Sequence, residues 1–283
     1  MFDVYTSCRR VDSGGVSLNV ADHGPPDGEP VLMLHGFPDS ARLWRNQIPA
    51  LVEAGYRVIA PDLRGFGRSD LSVTARQCGM RAMVGDVITV LSDAGVESAH
   101  VVGHDWGAAI SWAAALSVPD RVRSLTALSV GHPSAFQAAG LAQREKSWYM
   151  LLFQFEGLAE KWLSDNDWFW LRRWTGCDEV ENWIEDLSRP GALEAALAIY
   201  RANSRPETFL SPPPEYPPLQ MPVMGIWSSG DRALTERQMV ESQKQVAGRW
   251  RYERIDDVGH WIPVEAPETL NALLLDWLDS IDA

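Results

Sequence analysis

The chain is poor in three things, and each shortage excludes something. It has three cysteines, Cys8, Cys78 and Cys177, odd in number and far apart. They make no CxxC pair and no disulfide framework, so a reducing compartment is expected, and the cytoplasm fits best. Basic residues are outnumbered: 25 Lys and Arg face 38 Asp and Glu, a net charge of −13. That excludes nucleic acid as a partner, because phosphate binding needs basic patches, and it disfavours strongly acidic substrates. Long apolar runs are missing. No stretch approaches the roughly 18 residues of a membrane span, so none is expected. The opening MFDVYTSCRRVDSGG has no apolar h-region and does not read as a signal peptide. No internal repeat is visible.

The 283 residues, 46% hydrophobic and 22% charged, suit one α/β domain with room for an inserted subdomain. Tryptophan is plentiful: 13 residues, several clustered between Trp148 and Trp183. Such a cluster serves either packing or an aromatic pocket for an apolar ligand. One stretch is biased, SPPPEYPPLQMP at 211–222. Its prolines forbid helix and central strand, which leaves a stiff connector.

Short apolar runs recur with the look of strands buried on both faces. They are VLMLHG (31–36), YRVIAPD (56–62) and AHVVGHD (99–105), followed later by RSLTALSV (123–130), VMGIWSS (223–229) and WRYERID (250–256). Helical patterns alternate with them. Trp44, Ile48, Leu51 and Val52 share one face, with Gly55 placed to stop the helix. Met80, Met83, Val84, Val87, Ile88 and Leu91 share another, and Leu270, Leu273, Leu274, Trp277, Leu278 and Ile281 close the chain at a 3.6 period. Alternating strand and helix predicts crossovers and a mostly parallel sheet. Residues 133 to about 217 interrupt the alternation. That segment reads as a helical insertion over the strand ends.

Within AHVVGHDWGAAI, Asp105 ends a strand between Gly103 and Gly107, and a helix pattern follows at once. This is the strand–turn–helix setting of a hydrolase nucleophile, with a carboxylate where a serine is usual. The glycines permit a sharp turn that throws the side chain out at the carboxyl edge of the sheet, where open α/β sheets bind ligands. The helix N-terminus favours an ionised carboxylate. The plain alternative is an Asp that caps the helix. A carboxylate suits displacement at saturated carbon, which leaves an alkyl ester on the enzyme. That ester then needs a base for water and an oxyanion hole.

His260, on a loop after the last strand, sits where the base is expected. Asp231, in WSSGDRAL, is the carboxylate placed to orient it. The end of the preceding strand, LTALSVGHPSAF, contains no carboxylate, and Asp256 and Asp257 lie too close to His260 in sequence. The order Asp105, Asp231, His260 is nucleophile, acid, base. Two backbone N–H groups are expected for the oxyanion hole, from Trp106 after the nucleophile and from Phe37 in HGFPDS.

Together LHGFPDS, PDLRGFGRSD, GHDWG, the Gly-Asp at 230–231 and GHWIPVEAPETL resemble the α/β-hydrolase-fold epoxide hydrolases over almost the whole chain. GHDWG occurs in haloalkane dehalogenases too. The resemblance implies a mostly parallel eight-stranded sheet with helices on both faces and an inserted helical cap, 133–217, on a core of 1–132 and 218–283. It implies no cofactor and no metal; the partners are a small apolar epoxide and water. Two cap tyrosines should donate to the epoxide oxygen. SWYMLLFQFEG resembles the first cap motif and points to Tyr149, and AIYRAN resembles the second and points to Tyr200. The substrate pocket expected on this basis is lined by Phe37, Trp106, Tyr149, Phe153, Tyr200 and Trp261, and the six cap tryptophans suggest a bulky apolar or aryl substrate. Two departures stand out. Glu156 replaces a proline before Gly157, and LSVTARQCGM at 71–80 lacks the family's Pro and Tyr. The alternatives are a dehalogenase on the same scaffold and a ligand-binding homologue without turnover. An apolar cap surface leaves room for a homodimer.

Overall fold

The computed structural model describes residues 2–282. Eight strands form one sheet: β1 (Cys8–Ser13), β2 (Val16–His23), β3 (Pro30–Leu34), β4 (Arg57–Pro61), β5 (Ala99–His104), β6 (Val122–Leu128), β7 (Val223–Ser228) and β8 (Trp250–Ile255). Their order across the sheet is β1-β2-β4-β3-β5-β6-β7-β8. The pairs β1–β2 and β2–β4 are antiparallel, and every other pair is parallel. The apolar runs become the middle of the sheet, and every residue of β5 and of β7 is buried. Such strands are covered on both faces, which is what parallel strands require.

The six apolar runs correspond to β3–β8, and the two further strands are the hairpin β1–β2. Its turn is Gly14–Gly15, both at positive φ (61° and 83°), the two-residue geometry that suits a twisted hairpin.

The covering helices of the core are α1 (Gln47–Glu53), α2 (Met80–Asp93) and α3 (Trp106–Ser117). Between β6 and β7 lie α4 (Pro133–Ala138), α5 (Leu141–Lys146), α6 (Trp148–Leu152), α7 (Leu158–Thr175), α8 (Val180–Leu187) and α9 (Ala192–Asn203). Helix α7 is broken in its middle, where Asn166, Asp167 and Trp168 have φ of 51°, 56° and 58°. The proline stretch then runs without helix or strand into β7. Helices α10 (Glu236–Glu241), α11 (Ile262–Glu265) and α12 (Pro267–Asp282) complete the chain. Among the described residues no helix is long and apolar enough to cross a membrane.

The chain departs from β3 toward β4 on one side, and from β5 toward β6 on the other. The crevice for a ligand therefore lies at the carboxyl ends of β3 and β5, which are neighbours.

Candidate active site

That adjacency places the loop after β3 against the turn after β5. Asp105 holds φ 54° and ψ −120°, a strained turn for a residue with a side chain. Its surroundings explain the glycines. A Cβ on Gly107 would lie 1.9 Å from the Leu34 carbonyl oxygen, and one on Gly36 would lie 2.3 Å from Asp105 Oδ1. Only bare backbone lets the two loops meet this closely. The Asp105 side chain makes no capping hydrogen bond to α3. Instead the Phe37 N–H donates to its Oδ1 at 2.8 Å, and the carboxylate also faces the Trp106 N–H.

The ends of β7 and β8 bring the other charged groups. Asp231 Oδ1 accepts from the N–H groups of Ala233 and Leu234 at 2.7 and 2.8 Å, so a tight turn wraps one carboxylate oxygen. The other oxygen, Oδ2, lies 2.7 Å from His260 Nδ1. His260 Nε2 then faces Asp105 Oδ2 at 3.6 Å, an ion-pair distance longer than a normal hydrogen bond. Residues 105, 231 and 260 thus meet in space despite their separation in sequence. All three are buried.

Burial works against charge here, and neighbours overrule it. It would raise the Asp105 carboxyl, but the His260 imidazole outweighs it and holds the group below the usual aspartate value. Burial would likewise depress His260. The Asp231 carboxylate, joined by Asp105, pushes it up to about 10. At neutral pH the resting site is an imidazolium between two carboxylates.

Two phenols from the helices between β6 and β7 close over this pair. Tyr149 on α6 and Tyr200 on α9 are buried, with ring centroids 6.1 Å apart. Burial, with the negative charge of Asp105, raises both well above the usual tyrosine value, so both stay protonated donors. The Trp106 indole faces the Tyr200 oxygen, and its ring meets that of Tyr200 edge-on at 5.0 Å.

Two cavities share Asp105, Tyr149 and Tyr200 in their walls. The larger, about 890 Å³, runs between α2, α3 and the segment between β6 and β7, past Trp106, Val84, Ile88, Leu116, Phe136 and Met150. The smaller, about 390 Å³, is more polar; Phe37, Trp174, Arg232, Asp257 and Trp261 line it. Asp105 stands where the two meet.

Some expectations need correction. Phe153 lines neither cavity: it is fully buried behind Phe37, Tyr149 and Tyr200, and supports their rings. The tryptophan cluster is not a substrate cage. Of the six tryptophans between Trp148 and Trp183 only Trp174 lines a cavity beside Asp105. Trp148 and Trp170 are 46% and 42% exposed, and Trp162 stacks on Trp170 outside the pocket. Trp183 instead packs on Trp261 at 4.6 Å and donates its indole N–H to the buried Asp39. The missing proline before Gly157 does not prevent the turn, because Gly157 (φ 76°) and the Glu160 side chain begin α7 there. Residues 71–80 carry a short helical turn, Ala75–Cys78, capped by Thr74 and Gln77.

His104, inside GHDWG, also belongs to this site although the sequence pattern does not single it out. It is fully buried, its ring lies 4.7 Å from that of His260, and its Nε2 lies 2.9 Å from the His260 carbonyl oxygen. A histidine at the end of a buried strand, where apolar residues are the rule, was the available clue. Among the described residues no group of His, Cys, Asp and Glu is arranged to hold a metal.

Comparison with known proteins agrees with this architecture. A family model described as alpha/beta hydrolase fold matches residues 29–267. Epoxide hydrolase A of Mycobacterium tuberculosis is 31% identical, over 97% of this chain and 98% of its own. The AB hydrolase superfamily protein YfhM of Bacillus subtilis is 34% identical over 96% and 97%. The crystal structure of Epoxide Hydrolase A from Mycobacterium thermoresistibile matches with a TM-score of 0.80 at 29% identity, covering 96% of this chain and 98% of that one. A structure described under novel epoxide hydrolases in metagenomes from hot environments reaches a TM-score of 0.86 at 29% identity, over 98% and 99%. The chain therefore belongs to the α/β-hydrolase fold family and, within it, to the epoxide hydrolases.

Proposed function

We propose that the chain converts an apolar, aryl- or bulky alkyl-substituted epoxide to a vicinal diol through an ester on Asp105. In this reading residues 133–217 are a cap domain on a core of 1–132 and 218–283. The large apolar cavity takes the hydrocarbon substituent, and the ring sits at the junction beneath Tyr149 and Tyr200.

Asp105 Oδ2 attacks a ring carbon from the side opposite the ring oxygen. The carbon–oxygen bond breaks, and the alkoxide takes a proton from one of the phenols. The imidazolium of His260 restores that phenol proton through solvent, because the new ester no longer carries the charge that kept His260 protonated. Neutral His260, oriented by Asp231, then takes a proton from water. Hydroxide adds to the Asp105 carbonyl carbon, and the oxyanion on Oδ1 is held by the N–H groups of Phe37 and Trp106. Collapse breaks the acyl–oxygen bond. His260 protonates the departing alkoxide, and the regenerated Asp105 carboxyl returns a proton to His260.

One observation supports this reading above the others. A single carboxylate stands where both cavities meet, with one oxygen on the Phe37 N–H and the other toward His260, under two phenols that burial keeps neutral. A dehalogenase needs N–H donors for halide, and the Trp106 indole is engaged with Tyr200.

The test is diol formation from an aryl-substituted epoxide in H₂¹⁸O with substoichiometric substrate. The first-turnover diol should carry no ¹⁸O, and the label should appear in Asp105. The Asp105→Ala protein should give no diol. Labelled diol in the first turnover would overturn the ester mechanism. Halide release from bromoalkanes without epoxide turnover would overturn the substrate class.

A further inference from the structure

The loop that carries Asp231 is not held by the core alone. Its inner side is the turn that wraps Asp231 Oδ1. Its outer side presents the carbonyls of Asp231, Ala233 and Leu234, and helix α5 meets them. The Lys146 ammonium donates to the Asp231 carbonyl oxygen, and also to that of Leu234 at 3.3 Å. The Gln143 amide, 2% exposed, donates to the Ala233 carbonyl at 2.9 Å, while its oxygen accepts from the N–H and hydroxyl of Thr235, each at 2.8 Å. Two side chains on consecutive turns of one helix thus grip residues 231–235 at five points.

The same helix leads into Tyr149. The Gln143 amide also donates to Ser147 Oγ at 2.9 Å, at the corner between α5 and α6, two residues before the phenol. We infer that Gln143 and Lys146 are positioning residues for ester hydrolysis: they fix the Asp231 loop relative to the cap and so hold His260 in the orientation its base role needs. This rests on the roles given above to Asp231 and His260. Neither side chain lines the cavities beside Asp105, so neither touches substrate. Both act through backbone carbonyls. Without them the carbonyls of Asp231 and Ala233 lose these donors, Leu234 keeps only the Trp227 indole N–H at 3.3 Å, and the turn around Asp231 is free to relax. Displacing the orienting carboxylate lets the imidazole rotate, and small misplacements of a catalytic group cost up to about a hundredfold in rate.

The experiment separates the two half-reactions by rapid mixing, with mass spectrometry to count alkylated enzyme. Lys146→Met should form ester at nearly the wild-type rate and hydrolyse it about tenfold or more slowly, so that alkyl-enzyme accumulates. The acid limb of hydrolysis should move to lower pH, because His260 loses contact with the Asp231 charge. Lys146→Arg should restore most of the rate. Gln143→Glu removes the donor to Ala233 but keeps the acceptor for Thr235, and it serves if Lys146→Met does not fold; the same accumulation is expected. Asp231→Asn is run beside them. Accumulation in Asp231→Asn with wild-type hydrolysis in the other variants would overturn the inference and leave the proposed mechanism standing. Equal slowing of both half-reactions without a pH shift would also overturn it, since that is what general loosening of the cap produces. If no alkyl-enzyme forms even in Asp231→Asn, the proposed mechanism fails first.

Discussion

Asp105 and His260 carry opposite charges in the resting site, and in the proposed cycle ester formation removes one of them. Burial alone would make His260 a weak base, yet the Asp231 and Asp105 carboxylates lift it to about 10. Once Asp105 is an ester, only Asp231 supports the proton, so the pKa of His260 drops. In the proposed roles, the nucleophile therefore sets the protonation state of the base that later releases it. Ester hydrolysis measured by single turnover should rise with pH along an acid limb centred below about 10, whereas a titration of the resting enzyme should find the imidazolium persisting to about 10. Equal values in both states would remove this coupling. In the same proposal the phenols act on the other step. Tyr149→Phe and Tyr200→Phe should each slow ester formation, about a hundredfold for a lost general acid. Ester hydrolysis should hardly change. Because both phenols are pushed well above the usual tyrosine value, ester formation should show no alkaline loss at pH 9.

At the scale of elements, the close approach of β3, β5 and α3 makes the site, and glycine permits it. In Gly107→Ala the new methyl would stand 1.9 Å from the Leu34 carbonyl oxygen, a backbone atom that cannot swing aside. The cost should exceed the roughly 1–3 kcal/mol of ordinary overpacking, and soluble expression or the urea midpoint will report it. Gly85→Ala on α2 meets nothing within 4 Å, and removing a helical glycine there should gain roughly 0.5–1 kcal/mol. The sheet's centre was legible in the sequence because strands covered on both faces leave unbroken apolar runs. The β1–β2 hairpin was not. Its strand β1, CRRVDS, sits at the sheet edge and alternates buried with exposed positions, so Arg9, Arg10 and Asp12 break any run. The order Asp105, Asp231, His260 could be read because each follows a recognisable strand. Tyr149 and Tyr200 could not be found by pattern, since an inward-facing phenol on a short helix looks like any packed aromatic; only the resemblance pointed to them. Gln143 and Lys146 left no trace, because a side chain bound to distant backbone carbonyls has no local periodicity.

For the whole molecule, the buried imidazoles decide how stability depends on pH. Burial lowers His104 to about 3, reinforced by the positive charge of His260; burial lowers His132 to about 4 and also depresses His35. Each stays neutral when folded and is free to take a proton near pH 6.5 when unfolded. Their stabilisation is thus present above pH 6.5 and lost as pH falls, toward 3–4 for His104 and His132, which together account for roughly several kcal/mol. His260 has the opposite sign. Its raised value makes its contribution complete below pH 6.5 and lost as pH rises to about 10. Asp39, raised by burial to about 7, loses its contribution between about pH 4 and 7 and so opposes the imidazoles. The three depressed imidazoles, joined by the depressed carboxyls of Asp22 and Asp105, outweigh the raised carboxyls of Asp39 and Asp186 and leave a net loss on the acid side, and His260 supplies the loss on the alkaline side. The thermal midpoint should therefore peak near neutral pH and fall in both directions. His104→Gln offers a side-chain amide that can still donate to the His260 carbonyl but takes up no proton. It should flatten the acid limb and leave the alkaline limb alone. An acid limb of unchanged steepness in that variant would mean that the carboxylates, and not the buried histidines, govern the acid instability of this fold.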